Sequence, residues 1–334
     1  MNRKSGIELL RILCMFGIVY MHTFGSMLET VHGGNMALAV FENALFNCGV
    51  SCFVLISGYF GIKKNTRRLI KLDLTVIFFS LTATICTKVM GWDAISKTDW
   101  IKAIFPVITR RYWFMTCYIV LMLLAPYINQ IPEKMEKKEF EKLLLLCVTV
   151  FSVIPSIFFI ADNVTADSGK GLANMILMYL IGRYIRKYKE DAVPKRKAAI
   201  LAYAGVAATF VLNMVLSLIR GTCTGNFARD CSVTILFSSI FIFLWFKSLK
   251  LQSGIINKLA QNVLACYVFE GTVRKFLNGY VTVEAYETVW YLFAVVAVYA
   301  LVVLAICFVI NTVRNCTVGK IEDMVLDRYF KIEK

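Results

Sequence analysis

Three ionisable side chains stand inside an otherwise apolar stretch, residues 6–24, GIELLRILCMFGIVYMHTF: Glu8, Arg11 and His22. At 100° per residue, the eleven steps from Arg11 to His22 leave an offset of about 20° after whole turns, and the fourteen from Glu8 to His22 leave about −40°. All three fall on one helix face. A rise of about 1.5 Å per residue sets His22 about 16 Å further along the axis than Arg11. Charge inside a membrane-length helix is expensive, so such residues mark function by default. The types are suggestive in themselves: a guanidinium binds anions, and an imidazole with a pKa near 6.5 suits general-base work. Glu8, at i, i+3 from Arg11, is placed to hold that guanidinium.

The rest of the chain must supply a frame for this helix. Of 334 residues, 58% are hydrophobic and 18% charged, more apolar and less charged than a soluble protein of this length. The apolar residues come in blocks of bilayer-spanning length. We expect an all-α, polytopic transmembrane bundle of ten spans, near 6–27, 39–62, 69–90, 112–129, 143–161, 171–186, 198–219, 232–249, 258–277 and 288–311, forming a single domain over 1–334 with no appended soluble domain. The start, MNRK before an apolar run, mimics a signal peptide. The run is long, carries charge and lacks a small-x-small cleavage site, so it is expected to be a retained first span. Alternate connecting segments hold 26 and 10 of the lysines and arginines. The richer set, which includes both termini, is expected to be cytoplasmic. The net charge of +15 is then mostly topology, with attraction to anionic lipids second. No folded basic domain is left over, which argues against nucleic acid as a partner. Eleven scattered cysteines and two histidines give no zinc-site spacing. Cys223 and Cys231 share one loop, where a disulfide is one option in an oxidising compartment.

Other residues are open to two readings. Lys63, Lys64, Arg67, Arg68 and Lys71 form the densest short basic cluster. It is either a stop-transfer anchor on phospholipid or a phosphate-capture site, Arg68 and Lys71 being i, i+3 neighbours at a helix start. Asp73 is the nearest carboxylate to partner them. Gly49, Ser51, Ser57 and Gly58 in the second span are small enough for close helix approach, and Ser57 can alternatively hydrogen-bond in a pocket. Arg110 and Arg111 lie in a segment that should be poor in cations; they are exceptions to the rule or face an anionic acceptor. Trp92, Trp100 and Trp113 read as interface anchors. His32, beside two glycines, reads as solvated. In the ninth span, Glu270 either neutralises Arg274 at i+4 or reaches toward His22. The tail from about Arg314 is amphipathic and expected on the inner membrane surface.

Glu8-x-x-Arg11, ten residues and then His22 resembles the first span of the acyltransferase-3 family of bacterial integral-membrane O-acyltransferases. FVLISGYF in the second span, the basic start of the third, and Trp113–Phe114 before a Tyr-containing apolar run and Pro126 are similar too. Arg68-x-x-Lys71 stands where the family usually has Arg-x-x-Arg. CYVFEG carries Glu270 where a histidine often follows the tyrosine. The resemblance implies a ten-helix fold, a bacterial plasma-membrane location, an acyl-CoA donor (often acetyl-CoA) and an acceptor hydroxyl on a cell-surface polysaccharide or lipid-linked sugar.

On that basis Arg11, Arg67, Arg68 and Lys71 are expected to bind the donor, His22 to act as general base, and Glu270, or failing it Glu42, to orient it. Glu8, Ser57 and Trp113 are expected to support them. The alternative is a transporter or flippase that uses Glu8, Arg11, His22 and Glu270 as a polar path; a binding protein without chemistry is a third class.

Overall fold

Apolar stretches of this length form helices because in hydrocarbon every backbone N–H and C=O must be satisfied within its own segment. The computed structural model describes residues 4–28, 30–159, 167–189 and 192–330. Among these the regular structure is helical, without a strand. The ends of the chain, residues 160–161 of the expected fifth span and part of the connector at 183–197 lie outside the described residues.

The helices run in order as α1 (Ser5–Phe24), α2 (Gly33–Phe46), α3 (Cys48–Phe60), α4 (Thr66–Val89), α5 (Lys97–Ile104), α6 (Trp113–Ile128), α7 (Gln130–Lys134), α8 (Lys137–Val148), α9 (Ile154–Ile157), α10 (Leu172–Tyr188), α11 (Lys195–Arg220), α12 (Val233–Lys247), α13 (Gly254–Leu259), α14 (Val263–Leu277), α15 (Leu292–Cys316) and α16 (Val318–Phe330). Seven segments are long and apolar enough to cross a membrane: Ser5–Met27, Gly33–Phe60, Thr66–Val89, Trp113–Lys134, Lys137–Ile157, Lys195–Arg220 and Leu292–Cys316. The other three expected spans fall on α10, α12 and α14, of 17, 15 and 15 residues. The molecule is a polytopic helical bundle.

The second expected span, 39–62, starts earlier and is interrupted at Asn47, between α2 and α3. The interruption lets α2 lean on α11 while α3 packs against α10 and α12. Helices α3 and α10 meet through glycines: a Cβ on Gly58 would stand 2.2 Å from the Tyr179 carbonyl oxygen, and one on Gly182 2.5 Å from that of Leu55. This is the close approach that small residues permit. The fifth expected span contains a π-helical turn, Thr149–Val153, just before Pro155.

Helix α1 is the hub. It touches α2, α3, α12, α13, α14 and α15, and Met15 and Val19 at its middle are wholly buried. One end of the bundle gathers the basic connectors and is called here the basic end. At the opposite end, α5 opens with a capping box in which the Ser96 hydroxyl and backbone N–H both donate to Asp99, holding its carboxyl below the usual range. The loop residue Asp230 is buried there. Desolvation pushes its carboxyl up to about 7, with Lys170 opposing and Asp167 adding to the rise. Cys223 is a free thiol, so the Cys223–Cys231 disulfide is not present.

After α15 the chain breaks at Thr317 and α16 turns back along α4. The buried Arg314 guanidinium anchors that turn on Glu322, at 2.5 and 2.6 Å. Ile321, Met324 and Val325 on α16 stay exposed, the pattern of a helix lying in a membrane interface.

Candidate functional site

The polar face of α1 is divided between two ends of the bundle. Near the basic end, Glu8 is buried and its Oε2 lies 3.5 Å from Arg11 Nη1. One turn apart along the same face, Arg11, Met15 and Ile18 line a cavity of about 630 Å³, within the usual range for a small-molecule site. The start of α4 supplies its mouth: Asn65, Arg67, Arg68 and Lys71. Asn65 caps α4 by accepting the Arg68 backbone N–H at 2.8 Å, which sets the register of the three cations on the first turns. All four expected donor cations therefore line one cavity.

Deeper in, the walls become aromatic and apolar, with Phe53, Phe114, Tyr118 and Tyr267 among them. Ser57 is also in this wall. Its hydroxyl donates to the Phe53 carbonyl at 3.0 Å and meets the Tyr118 hydroxyl at 3.0 Å, so Tyr118 is the donor of the second bond. Cations at the mouth and neutral hydroxyls further in suit a long ligand that is polyanionic at one end only.

His22 is not in this cavity. It stands one turn beyond Ile18, about 6 Å further along α1, with its side chain 46% exposed. Its Nδ1 is 2.9 Å from Glu270 Oε1, although 248 residues separate the two. Glu270 is buried on α14, and Arg274, one turn later, donates to Glu270 Oε2 at 2.5 Å and to the His22 carbonyl at 2.9 Å. The sequence left two readings of Glu270 open; the structure contains both contacts at once. Arg274 offsets the cost of a buried carboxylate, and the second carboxylate oxygen is shared between the imidazole at 2.9 Å and Arg274 Nη2 at 3.5 Å. With Nδ1 engaged by a carboxylate, Nε2 is the ring nitrogen left to meet a substrate.

Tyr267 joins the two ends. It lines the cavity, lies one turn before Glu270 on α14, and is within electrostatic reach of it. Tyr267, Glu270 and Arg274 form an i, i+3, i+7 stripe, a pattern visible in the sequence but passed over there in favour of the Glu–Arg pair alone. Tyr118 and Arg274 were likewise not expected in roles at the site.

Two expectations are corrected. Glu42, the second candidate to orient His22, accepts instead from the Tyr20 hydroxyl at 2.5 Å, on a different face of α1. Trp113 opens α6 and packs edge-on against Phe114, which lines the cavity. Asp73 makes no ion pair with the α4 cations. Their carboxylates come from α16: Arg67 Nη2 lies 2.9 Å from both Asp323 and Asp327, and Lys71 Nζ 2.5 Å from Asp323. Among the described residues, Arg68 has no carboxylate within ion-pair distance. At the opposite end, Arg111 donates to the Thr84 hydroxyl at 2.9 Å, while Arg110, at φ 55°, donates to the Lys170 carbonyl at 3.3 Å.

The fold and the site define a class: a polytopic helical membrane protein with a cation-lined cavity and, one turn further along α1, a carboxylate-held histidine. Comparison with known families narrows it. The family model described as an acyltransferase domain matches residues 4–312, essentially the whole chain, and the protein belongs to that acyltransferase-3 family. It is a membrane acyltransferase. No curated protein and no solved structure matches the chain.

Proposed function

We propose that the protein moves an acyl group, most simply acetyl, from a cytoplasmic acyl-CoA to a hydroxyl of a cell-surface polysaccharide or lipid-linked sugar, in a bacterial plasma membrane with both chain termini inside. The observation that carries this is one of position: the His22–Glu270 pair stands one turn beyond the inner reach of a cavity whose mouth is ringed by Arg11, Arg67, Arg68 and Lys71.

In this reading the cations take the phosphates of the nucleotide end, Arg68 being the one without a competing carboxylate. The pantetheine arm runs along the Ser57–Tyr118 wall toward Tyr267. His22 Nε2 removes the proton from the acceptor hydroxyl. The oxygen attacks the thioester carbonyl, a C–O bond forms, the C–S bond breaks, and the departing thiolate takes the proton back from His22. Glu270 stabilises the imidazolium between those two transfers, and Arg274 keeps Glu270 ionised and aimed. A lysine at position 71 gives point-charge rather than bidentate phosphate binding.

The test is free CoA release by purified protein in a membrane mimetic, offered several acyl-CoAs. Release by wild type that disappears in a well-folded His22→Ala variant supports the reading. Substrate uptake into vesicles, coupled to protons and without thioester turnover, would replace it by the transporter alternative.

A further inference from the structure

The C-terminal helix sits on the cations of the cavity mouth. Arg67 and Lys71 both line the cavity, and both are engaged by α16: Arg67 with Asp323 and Asp327 at 2.9 Å each, Lys71 with Asp323 at 2.5 Å. These side chains are about a third to a half exposed, so the contacts are made at the surface and can be exchanged. The spacing of Asp323 and Asp327 is i, i+4, which places both on the α16 face turned to α4, while Ile321, Met324 and Val325 remain exposed.

The anchoring of α16 is separate from these contacts. Its start is held by Glu322 on the buried Arg314, whose guanidinium also lies 5.3 Å from the centre of the Phe78 ring. Breaking the Asp323 and Asp327 pairs therefore leaves the helix tethered at Arg314. One end is fixed in the bundle, and beyond it α16 is held by the surface ion pairs of its acidic stripe and by one buried side chain, Leu326.

The mouth thus carries Arg11, Arg67, Arg68 and Lys71 against Glu8, Asp323 and Asp327. A polyanion entering it meets carboxylates already on three of the four cations, two of these held by α16. We propose that α16 is an acidic strap on the donor mouth, in which Asp323 and Asp327 compete with the donor's phosphates for Arg67 and Lys71 and are displaced when the donor binds. This rests on the reading of the cavity as an acyl-CoA site. The carboxylates weaken donor binding and select for a ligand with enough negative charge to displace them. Inorganic phosphate or a monoanionic thioester would leave the strap in place. Lys71 and Arg67 together hold the Asp323 carboxyl below its ordinary range, so that carboxylate stays charged throughout the physiological pH range.

The experiment measures the affinity of CoA and acetyl-CoA for the full chain in nanodiscs, for wild type and for the Asp323→Asn/Asp327→Asn double variant. The variant should bind about three- to tenfold more tightly, the size expected from two exposed ion pairs, and the gap should narrow as salt screens the mouth. A second measurement uses wild type alone: CoA should speed backbone hydrogen exchange in 318–330, while inorganic phosphate should not. Equal or weaker binding by the variant, or slower exchange of α16 with CoA bound, would overturn the strap while leaving the donor site standing. If neither protein binds CoA, the donor site itself falls and the strap with it.

Discussion

The two ends of the polar face of α1 solve opposite electrostatic problems. At the basic end, Arg67, Arg68 and Lys71 are partly or fully exposed, and Arg67 and Lys71 are neutralised by carboxylates that can be exchanged. At the other end a single carboxylate, Glu270, is buried and gripped between His22 and Arg274. Exposed cations bind a charged ligand with little desolvation cost, and each contributes modestly. A buried carboxylate costs far more to place and is tolerated only with its hydrogen bonds satisfied. The first arrangement suits capture of a mobile polyanion; the second suits holding one imidazole in one orientation. A general prediction follows: changes at the opposite end should act on turnover, and changes at the basic end on affinity.

The largest effect is expected at His22. Replacement by alanine should lower turnover by about 10²–10⁴-fold, the usual contribution of a general base, with donor affinity unchanged in a binding titration. Glu270→Gln keeps the shape and removes the charge. It should lower kcat by about ten- to a hundredfold with donor affinity unchanged, because the imidazole loses the carboxylate that orients it. A change in donor KM alone would place Glu270 with the binding groups instead. Arg11→Ala should raise donor KM about tenfold, as expected for loss of one charge-assisted contact. Arg68→Ala should raise it by only about three- to fivefold, since Arg68 is exposed.

The smallest effect concerns stability and lies away from both sites. The Asp230 carboxyl, pushed up to about 7 by burial, binds its proton more tightly in the folded chain than in the unfolded one. Stability should therefore fall as pH rises from the ordinary carboxylate range through about 7, by up to about 1.4 kcal/mol per pH unit. Asp230→Asn should flatten that part of the pH–melting curve in detergent. An unchanged slope would mean that other groups set it.

How much of this could be read from the sequence depends on how local each feature is. The common face of Glu8, Arg11 and His22 follows from helix geometry alone, and all three lie on one unbroken helix. The basic turn at 67–71 was equally plain. Glu270 could be picked out because it is a carboxylate deep in an apolar block, but depth does not say which face of which helix meets which. Glu42 passed the same test of depth, and α2 turns it to Tyr20 instead. The helix interruption at Asn47 left no mark in hydropathy, since both flanks are apolar. The carboxylates of the α4 cations were sought nearby, at Asp73. They come instead from Asp323 and Asp327, more than 250 residues away, because α16 folds back over α4 once Arg314 is anchored. The tail was recognisably amphipathic, but nothing in its pattern said what its acidic stripe would meet.

The central claim is that one face of α1 divides donor capture from chemistry. Its most direct test is to measure equilibrium acyl-CoA binding and CoA release on the same preparations of wild type, His22→Ala and Arg68→Ala. The account predicts a crossed result: His22→Ala binds donor as wild type does and releases almost no CoA, while Arg68→Ala binds several-fold more weakly and reaches wild-type turnover at saturation. Wild-type turnover by His22→Ala, or equal loss of binding and turnover in both variants, would contradict it.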